Sequence, residues 1–267
     1  MVQQYARTGA RHSNWQFHQY RPCQRSWYLH TTEARAADGC QTQAPEVVRC
    51  GGGFRVLRLY HCADARSFRC LWAMHELGVP CDMKLMPFPP RVHAPEYLQI
   101  NPQGTVPTLV DGSLVMTESV AILQYLATRC GPTPLFVDPQ DSAYGEWLDW
   151  LHYGETTLTA PQTVVIRYRF QKTEQKFRLP QVEEDYCDLF LERLQRVDAA
   201  LQSREFLCAD RFTMADISVG YALDVANYLS LSSQLPPAVK AYADRLRRRD
   251  GYRAARRTQA MLAQAGS

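Results

Sequence analysis

The sequence lacks the concentrated positive charge that would suit a nucleic-acid partner. Its 267 residues include 30 basic and 27 acidic side chains, for a net charge of +3. The whole excess falls in residues 1–53, where six arginines face three acids, so residues 54–267 balance at 24 against 24. Proteins that bind nucleic acid gather lysine and arginine on one face. The charge pattern therefore argues against that class of partner.

Paired-cysteine motifs and long apolar runs are also missing. Nine cysteines are spread along the chain without a Cys-x-x-Cys pair, whereas disulfide frameworks belong mainly to short secreted chains. We therefore expect free thiols and a cytoplasmic protein. The sequence has no run of about 18 apolar residues that would span a membrane, and the first 30 residues lack the apolar core of a secretory signal. The spacing of histidine and cysteine matches no metal site.

Composition divides the chain into segments. Residues 1–53 are rich in polar side chains, show no steady hydrophobic period and end in three glycines, so we expect a disordered N-terminal extension there. Glycine and proline at 130–134 and an Asp-Pro pair soon afterwards break the pattern again. We therefore expect a first domain at 54–130, a linker at 131–140, a helical domain at 141–250 and a C-terminal tail at 251–267.

The first domain alternates strand and helix patterns. Apolar residues recur at helical spacing from Ser67 to Leu77 and Gly78 follows as a helix end, while Asp111-Gly112 predicts a hairpin. The expected order is βαβ-ββα, with strands at 55–60, 81–86, 106–110 and 114–115 and helices at 67–77 and 117–129. Beyond the linker the pattern predicts helices at about 141–170, 182–203, 213–230 and 236–249.

The stretch 101–119 carries the strongest functional signal. A turn leads into a short strand through Val106-Pro107, and a residue that precedes proline favours an extended backbone. Glu118 and Ser119 then begin a helix, where free N–H groups and the helix dipole favour an anion. An extended backbone beside such a helix start indicates a place to dock a small peptide.

This order of motifs resembles the soluble glutathione transferase family, most closely its bacterial members, with no class assigned. The motifs that carry the resemblance are Leu59–Arg69, Gly104–Leu109, Thr117–Ser119 and Asp210–Ile217. The resemblance covers about 54–250. It implies a thioredoxin-like N-terminal domain, an all-helical C-terminal domain and a homodimer. It also implies an enzyme of detoxification that transfers glutathione to small electrophiles, with no cofactor beyond glutathione.

The resemblance also implies roles for individual residues in glutathione binding. Pro107 would follow a cis peptide bond, so that the N–H and C=O of Val106 pair with the cysteinyl unit of glutathione. Ser119 and the first amides of its helix suit the γ-glutamyl carboxylate, and Glu118 suits the ammonium group. Gln103 is also assigned to this site, as is Arg66, which adds positive potential near the thiolate or faces solvent.

The residue that activates the thiolate is left open by the sequence. Ser67 at the helix start is one candidate donor to the sulfur, with a helix cap as its alternative, and Tyr60 is more simply a buried strand aromatic. Family members that use serine or cysteine often place it one to three residues before Ser67, where this chain has 64–66, Asp-Ala-Arg. Cys62 is the remaining candidate: a reactive thiol there would favour thiol–disulfide exchange, and a buried, inert thiol is the alternative. A non-catalytic binding or regulatory protein on the same scaffold is a third possibility.

The second substrate is expected against the first long helix of the helical domain. Trp147, Trp150, Leu151 and Gly154 fall at helical spacing there. We expect them to line a hydrophobic substrate pocket in which Gly154 leaves room for the ligand. Aromatic residues at this spacing also suit a helix that packs into a core, and the pattern does not separate the two.

Overall fold

The computed structural model describes residues 56–171 and 178–265. The N-terminal extension expected at 1–53 lies outside these ranges. Within them the expected fold class is confirmed: a mixed sheet with helices is followed by a helical half.

Four strands form the sheet, in the order β2-β1-β3-β4. The first pair is parallel and the other two are antiparallel, and the β3–β4 hairpin turns at Asp111-Gly112 as the sequence predicts. The strands are β1 (Leu57–His61), β2 (Cys81–Leu85), β3 (Thr108–Asp111) and β4 (Leu114–Met116). The helices of this half are α1 (Ser67–Leu77), the short α2 (Pro90–His93), a 3₁₀ turn (Pro95–Gln99) and α3 (Ser119–Arg129).

Local sequence explains the limits of the first strand and helix. Leu57 and Leu59 of β1 are buried whereas Arg58 between them is exposed, because successive strand side chains point to opposite faces of the sheet. Helix α1 ends at Gly78, whose φ of 64° is left-handed and whose N–H bonds back to the last turn. Glycine takes that conformation without the steric cost that a Cβ imposes.

The helical half begins with one long stretch in which regular helix alternates with wider π-helical turns. The sequence pattern predicts a helix there but not the two changes of pitch. The stretch comprises α4 (Tyr144–His152), a π segment (Tyr153–Thr159), α5 (Ala160–Ile166) and a second π segment (Arg167–Gln171). The remaining helices are α6 (Pro180–Leu201), α7 (Met214–Tyr228), a 3₁₀ turn (Ser232–Gln234), α8 (Pro237–Arg247) and α9 (Asp250–Ala265).

Helix α7 is the centre of the helical half, and most of its residues are buried. Its start is a capping box: the Thr213 hydroxyl accepts a hydrogen bond from the N–H of Ala215, and the Asp216 carboxylate accepts one from the N–H of Thr213. The buried Asp216 carboxylate also accepts hydrogen bonds from the Tyr242 hydroxyl and the Leu207 N–H. One carboxylate therefore joins α7 to α8 and to the loop before α7.

The tail expected at 251–267 is, as far as Ala265, helix α9, and it packs along α1. The ring of Tyr252 meets Phe68 and Trp72 edge-on, at centroid distances of 5.5 and 5.0 Å. Arg249, just before α9, donates two hydrogen bonds of 2.8 Å to Glu76 near the end of α1. The last helix of the chain thus returns to the sheet-containing half. No helix in residues 56–171 or 178–265 is long and apolar enough to cross a membrane.

Candidate functional site

Strand register brings three separate segments to one edge of the sheet. Tyr60 pairs with Thr108, so the turn after β1 lies beside the residues that lead into β3. Met116 pairs with Leu109, so the start of α3, which follows β4, lies at the same edge. The turn between β1 and α1, the Val106-Pro107 pair and the first residue of α3 therefore border one place, although they are far apart in sequence.

The loop before β3 presents the backbone of Val106. The Val106–Pro107 peptide bond is cis, as the resemblance implies. Within the two described ranges, no residue hydrogen-bonds the N–H or C=O of Val106. Asn101 supports the loop, donating from Nδ2 to the C=O of Thr105 at 2.9 Å and accepting from the N–H of Gln103 at 3.0 Å. Gln103 and its neighbours are thus fixed, and the Val106 backbone is open to a ligand.

Gly104 in the same loop has a steric reason to be glycine. Its φ is +61°, and an added Cβ would lie 2.5 Å from the Cβ of Arg91. Neither the conformation nor the space admits a side chain. The exposed Gln103 side chain next to it stays a predicted contact for glutathione.

The start of α3 brings a hydroxyl, free backbone amides and a carboxylate together at Ser119 and Glu118. Glu118 is the exposed N-cap residue with an extended backbone, and Ser119 is the first helical residue. The Ser119 hydroxyl accepts a hydrogen bond of 3.0 Å from Nη1 of Arg69. A hydroxyl that accepts in this way still has its own hydrogen to donate. Their contact with the γ-glutamyl unit stays a prediction.

Arg69 is the main residue of the site that sequence reasoning missed. Its side chain is fully buried, and its guanidinium bonds to Ser119 on one side and to the π segment of the helical half on the other. There it donates to the Glu155 carboxylate, to the C=O of Gly154 at 3.3 Å and to the hydroxyl of Thr159 at 2.7 Å. The guanidinium also lies 4.5 Å from the centre of the Tyr221 ring. One buried cation therefore joins the two halves directly behind Ser119.

Two arginines share one carboxylate at this boundary. Arg66, the residue before α1, donates from Nε to Glu155 at 2.6 Å and from Nη2 to the Thr163 hydroxyl at 2.8 Å. Burial alone would raise the pKa of Glu155, but Arg69 and Arg66 outweigh it and hold that pKa below its usual value. Arg66, Arg69 and ionised Glu155 sum to a charge of +1. The net positive charge of the cluster therefore favours the binding of an anion.

The two predicted catalytic residues are buried in the turn that they help to form. The Ser67 hydroxyl accepts from the N–H of Cys62 at 3.2 Å and donates to the C=O of Cys62 at 3.3 Å. Burial raises the pKa of the Cys62 thiol to about 12, so this thiol is protonated at neutral pH. The hydroxyl of Ser67 is used within the turn, and the Cys62 thiol is not an activated nucleophile. This geometry does not favour either residue for chemistry on a ligand.

The Tyr60 side chain points to the face of the sheet opposite that of the buried Leu57 and Leu59. Its ring packs against Tyr97 of the 3₁₀ turn, with centroids 5.2 Å apart. Tyr60 is thus a half-buried strand residue with an aromatic neighbour, which fits the structural interpretation of this position.

The turn between β1 and α1 is fastened by the helical half through Asp64. This residue has a left-handed φ of 56°. Its carboxylate pairs with Arg256 of α9 and accepts a hydrogen bond of 2.8 Å from Nε2 of Gln259. Its N–H donates to Oε1 of Gln259 at 3.2 Å, and its C=O accepts from the Tyr221 hydroxyl at 3.1 Å. The sequence showed Asp64 only within the stretch where family members often have the catalytic serine or cysteine, and it gave no sign of these partners.

The predicted hydrophobic pocket is not where the sequence placed it. The side chains of Trp147, Trp150 and Leu151 are all at most 2% exposed and belong to the core. A Cβ on Gly154 would lie 2.6 and 2.7 Å from the backbone C and O of Ser218, so the glycine lets α7 approach and leaves no room for a ligand. The stretch instead turns Glu155, Thr159 and Thr163 toward α1.

The sequence is similar to known proteins of one family. Residues 59–134 match the family model for the N-terminal domain of glutathione S-transferases. Glutathione S-transferase 1 of Zea mays is 30% identical over 183 residues, which cover 65% of this chain and 83% of that relative.

Solved structures agree on the architecture. A glutathione transferase from Methylococcus capsulatus str. Bath superposes with a TM-score of 0.69 at 25% identity, over 77% of this chain and 100% of that one. Ure2p in complex with glutathione superposes with a TM-score of 0.68 at 20% identity, over 76% of this chain and 99% of that one. The second likeness bears on the fold alone.

Proposed function

The chain belongs to the glutathione S-transferase family, and we propose that it transfers the thiolate of glutathione to small electrophilic molecules. The observation that carries the proposal is the meeting of three segments at one sheet edge, with the positively charged Arg66–Arg69–Glu155 cluster behind Ser119. These groups match a tripeptide with two carboxylates, one ammonium group and one thiol.

Glutathione fits this edge in one direction. Its γ-glutamyl carboxylate accepts hydrogen bonds from the Ser119 hydroxyl and from the free amides at the start of α3, and Arg69 supplies positive potential from behind. Its ammonium group pairs with the exposed carboxylate of Glu118. Its cysteinyl unit pairs with the open N–H and C=O of Val106, in the manner of an added strand. The sulfur then lies at the turn between β1 and α1.

Activation of the thiol requires preferential stabilisation of its anion. A reference thiol pKa of about 8.5 must fall by about two units to ionise fully near neutral pH, which corresponds to roughly 2.7 kcal/mol. The one-third-exposed guanidinium of Arg66 suits this task. It suits it better than the Ser67 hydroxyl, which is occupied by the backbone of Cys62. No cofactor beyond glutathione enters the proposal.

Assembly and location are part of the same proposal. We place the protein in the cytoplasm as a detoxification enzyme, which accords with the free thiols of all six cysteines in the described ranges. We also propose a homodimer, in support of which the edge strand β4 exposes Leu114 and Val115. Sedimentation should give a species of twice the 30.6 kDa chain mass, and a monomer at micromolar concentration would refute the dimer.

Calorimetric titration with glutathione tests the function. Glu118→Ala removes one charge-assisted hydrogen bond, so we expect affinity to fall about tenfold to a hundredfold, whereas Glu192→Ala on the exposed side of α6 should leave it unchanged. Turnover of 1-chloro-2,4-dinitrobenzene with glutathione should be measurable in the unaltered protein. Absence of glutathione binding would refute the proposal. Binding without turnover of this electrophile or of a model disulfide would indicate a regulatory protein instead.

A further inference from the structure

The turn that receives the glutathione sulfur in the proposed function also contains a carboxylate. Asp64 lies three residues before the start of α1, and an anion close to a thiolate raises the pKa of the thiol. If the Asp64 side chain faced the ligand, it would oppose the ionisation that the reaction needs. The position of this carboxylate is therefore a functional matter.

The structure turns the Asp64 carboxylate toward α9. Arg256 pairs with it, and Gln259 spans the residue, donating from Nε2 to the carboxylate at 2.8 Å and accepting from its N–H at 3.2 Å. Tyr221 of α7 donates to its C=O at 3.1 Å. The N–H, the C=O and the carboxylate oxygen Oδ1 of Asp64 are thus each bound by a helix of the helical half. The left-handed φ of 56° is a conformation that aspartate tolerates better than most residues.

We propose that Arg256 and Gln259 of α9 are positioning residues for thiolate activation, which they serve by holding the Asp64 carboxylate on the α9 side of the turn and offsetting its charge. This inference rests on the proposed function, since it concerns the same sulfur. It makes the last helix of the chain part of the catalytic apparatus, although neither residue needs to touch glutathione.

The surroundings of Arg256 suit a permanent counter-charge. Its guanidinium donates from Nη2 to Asp224 of α7 and from Nε to the Tyr252 hydroxyl, each at 3.0 Å, and lies 4.1 Å from the centre of the Phe68 ring. Burial opposes the charge, but the neighbouring acids outweigh it and raise the pKa of Arg256. Asp224 has a second arginine partner, because Arg247 of α8 donates to it at 3.0 Å.

The other titratable and charged groups near the turn come from three further elements. Arg66 and Arg69 with Glu155 form the boundary cluster, which lies near the ring of Tyr221. His61 of β1 faces Gln259 at 3.1 Å, and burial lowers its pKa to about 4, so it is neutral at pH 7. The negative charge within the turn between β1 and α1 is therefore that of the Asp64 carboxylate, and Arg256 is the cation paired with it.

A pH profile of thiolate formation tests the inference. In Arg256→Met the uncompensated carboxylate should raise the pKa of bound glutathione by about 0.5 to 1 unit, which lowers kcat/KM for 1-chloro-2,4-dinitrobenzene about threefold to tenfold below that pKa. The ultraviolet absorbance of the bound thiolate reports the same pKa without the electrophile. Gln259→Leu should shift it in the same direction by less.

Two variants separate a charge effect from a purely structural one. Arg247→Met also deprives Asp224 of a partner but does not touch Asp64, so the thiol pKa should stay at the wild-type value. The double variant Asp64→Asn/Arg256→Met removes the uncompensated carboxylate and should restore the wild-type profile. A merely structural role of Arg256 would not be rescued in this way.

The outcomes are distinguishable from failure of the proposed function. If the unaltered protein binds and turns over glutathione but neither Arg256→Met nor Gln259→Leu moves the thiol pKa, the inference is wrong. A shift that persists in the double variant also overturns it. Failure of the proposed function would already be seen in the unaltered protein, as no glutathione binding or no turnover.

Discussion

Replacement of Gly154 by alanine should destabilise the protein, because this glycine sits where α7 comes closest to the long helical stretch. An added Cβ would lie 2.6 and 2.7 Å from the backbone C and O of Ser218, with its hydroxyl also in contact. A flexible side chain could move aside, but the backbone of Ser218, in the second turn of α7, cannot do so without moving the helix. The two helices must therefore separate.

The expected magnitude follows from two opposing effects. Extra atoms in a packed core cost about 1–3 kcal/mol, and contact with backbone puts Gly154→Ala at the upper end. Alanine in place of glycine within a helix returns about 0.5–1 kcal/mol. The free energy of unfolding should thus fall by about 2 kcal/mol, and Tm by about 4–8 °C for a domain of this size.

The chain supplies a matched control in Gly145, nine positions earlier in the same stretch. A Cβ there meets nothing within 4 Å, so Gly145→Ala should gain only the helix preference and raise Tm by about 1–4 °C. Both variants are measured by urea unfolding and by thermal unfolding followed by circular dichroism. If Gly154→Ala were as stable as the unaltered protein, the close approach of α7 described here would be wrong.

Two further substitutions probe charges in the interior. Arg69→Met leaves the partly buried carboxylate of Glu155 with one cation instead of two and should cost about 1–3 kcal/mol at neutral pH. The folded pKa of Glu155 lies below its unfolded value, so the stabilisation from its ionised form is present above about pH 4.3 and is lost as pH falls through the folded pKa. In Arg69→Met, the free energy of unfolding measured in urea should therefore depend less on pH between pH 5 and 3. An unchanged pH dependence would contradict the ion cluster. Asp216→Ala leaves several buried donors without an acceptor and should lower the free energy of unfolding by about 3–5 kcal/mol, against about 1 kcal/mol for Thr213→Ala. Equal losses of stability in urea unfolding would argue against the role of the carboxylate in joining α7 to α8.

Local signals in the sequence predict most of the first half correctly. The glycine after α1 and the hairpin at Asp111-Gly112 each depend on neighbouring residues, so a short stretch of sequence contains the cause of the structure. The cis bond before Pro107 was expected only from the family resemblance, since few X-Pro bonds are cis. The elements of the expected site are also local motifs, and strand register then brings them together. The prediction works where the physical cause lies within about ten residues.

The contacts that sequence reasoning missed are made across the fold. Arg69 and Glu155 are 86 positions apart, and Asp64 and Arg256 are 192 positions apart. No periodicity links such pairs, since each charge alone is compatible with a solvated face. The pocket predicted at Trp147 and Trp150 was wrong for another reason. Aromatic residues on one face of a helix have the same spacing whether they face a ligand or a core, and only the packing of α7 decides between the two.

The wide turn at Tyr153–Thr159 has a consequence for insertions and deletions. The N–H of Ala160 bonds to the C=O of Glu155, five residues back, whereas a regular helix reaches four residues back and advances about 100° per residue. The wider pitch of such a turn absorbs one extra residue, so the helix after it keeps its direction. Loss of one residue within the turn should therefore leave Thr163 facing Arg66. Loss of one residue from the regular helix between Ala160 and Thr163 would instead rotate Thr163 by about 100°, away from Arg66. The tolerance of this stretch to changes of length thus differs between its wide and its regular turns.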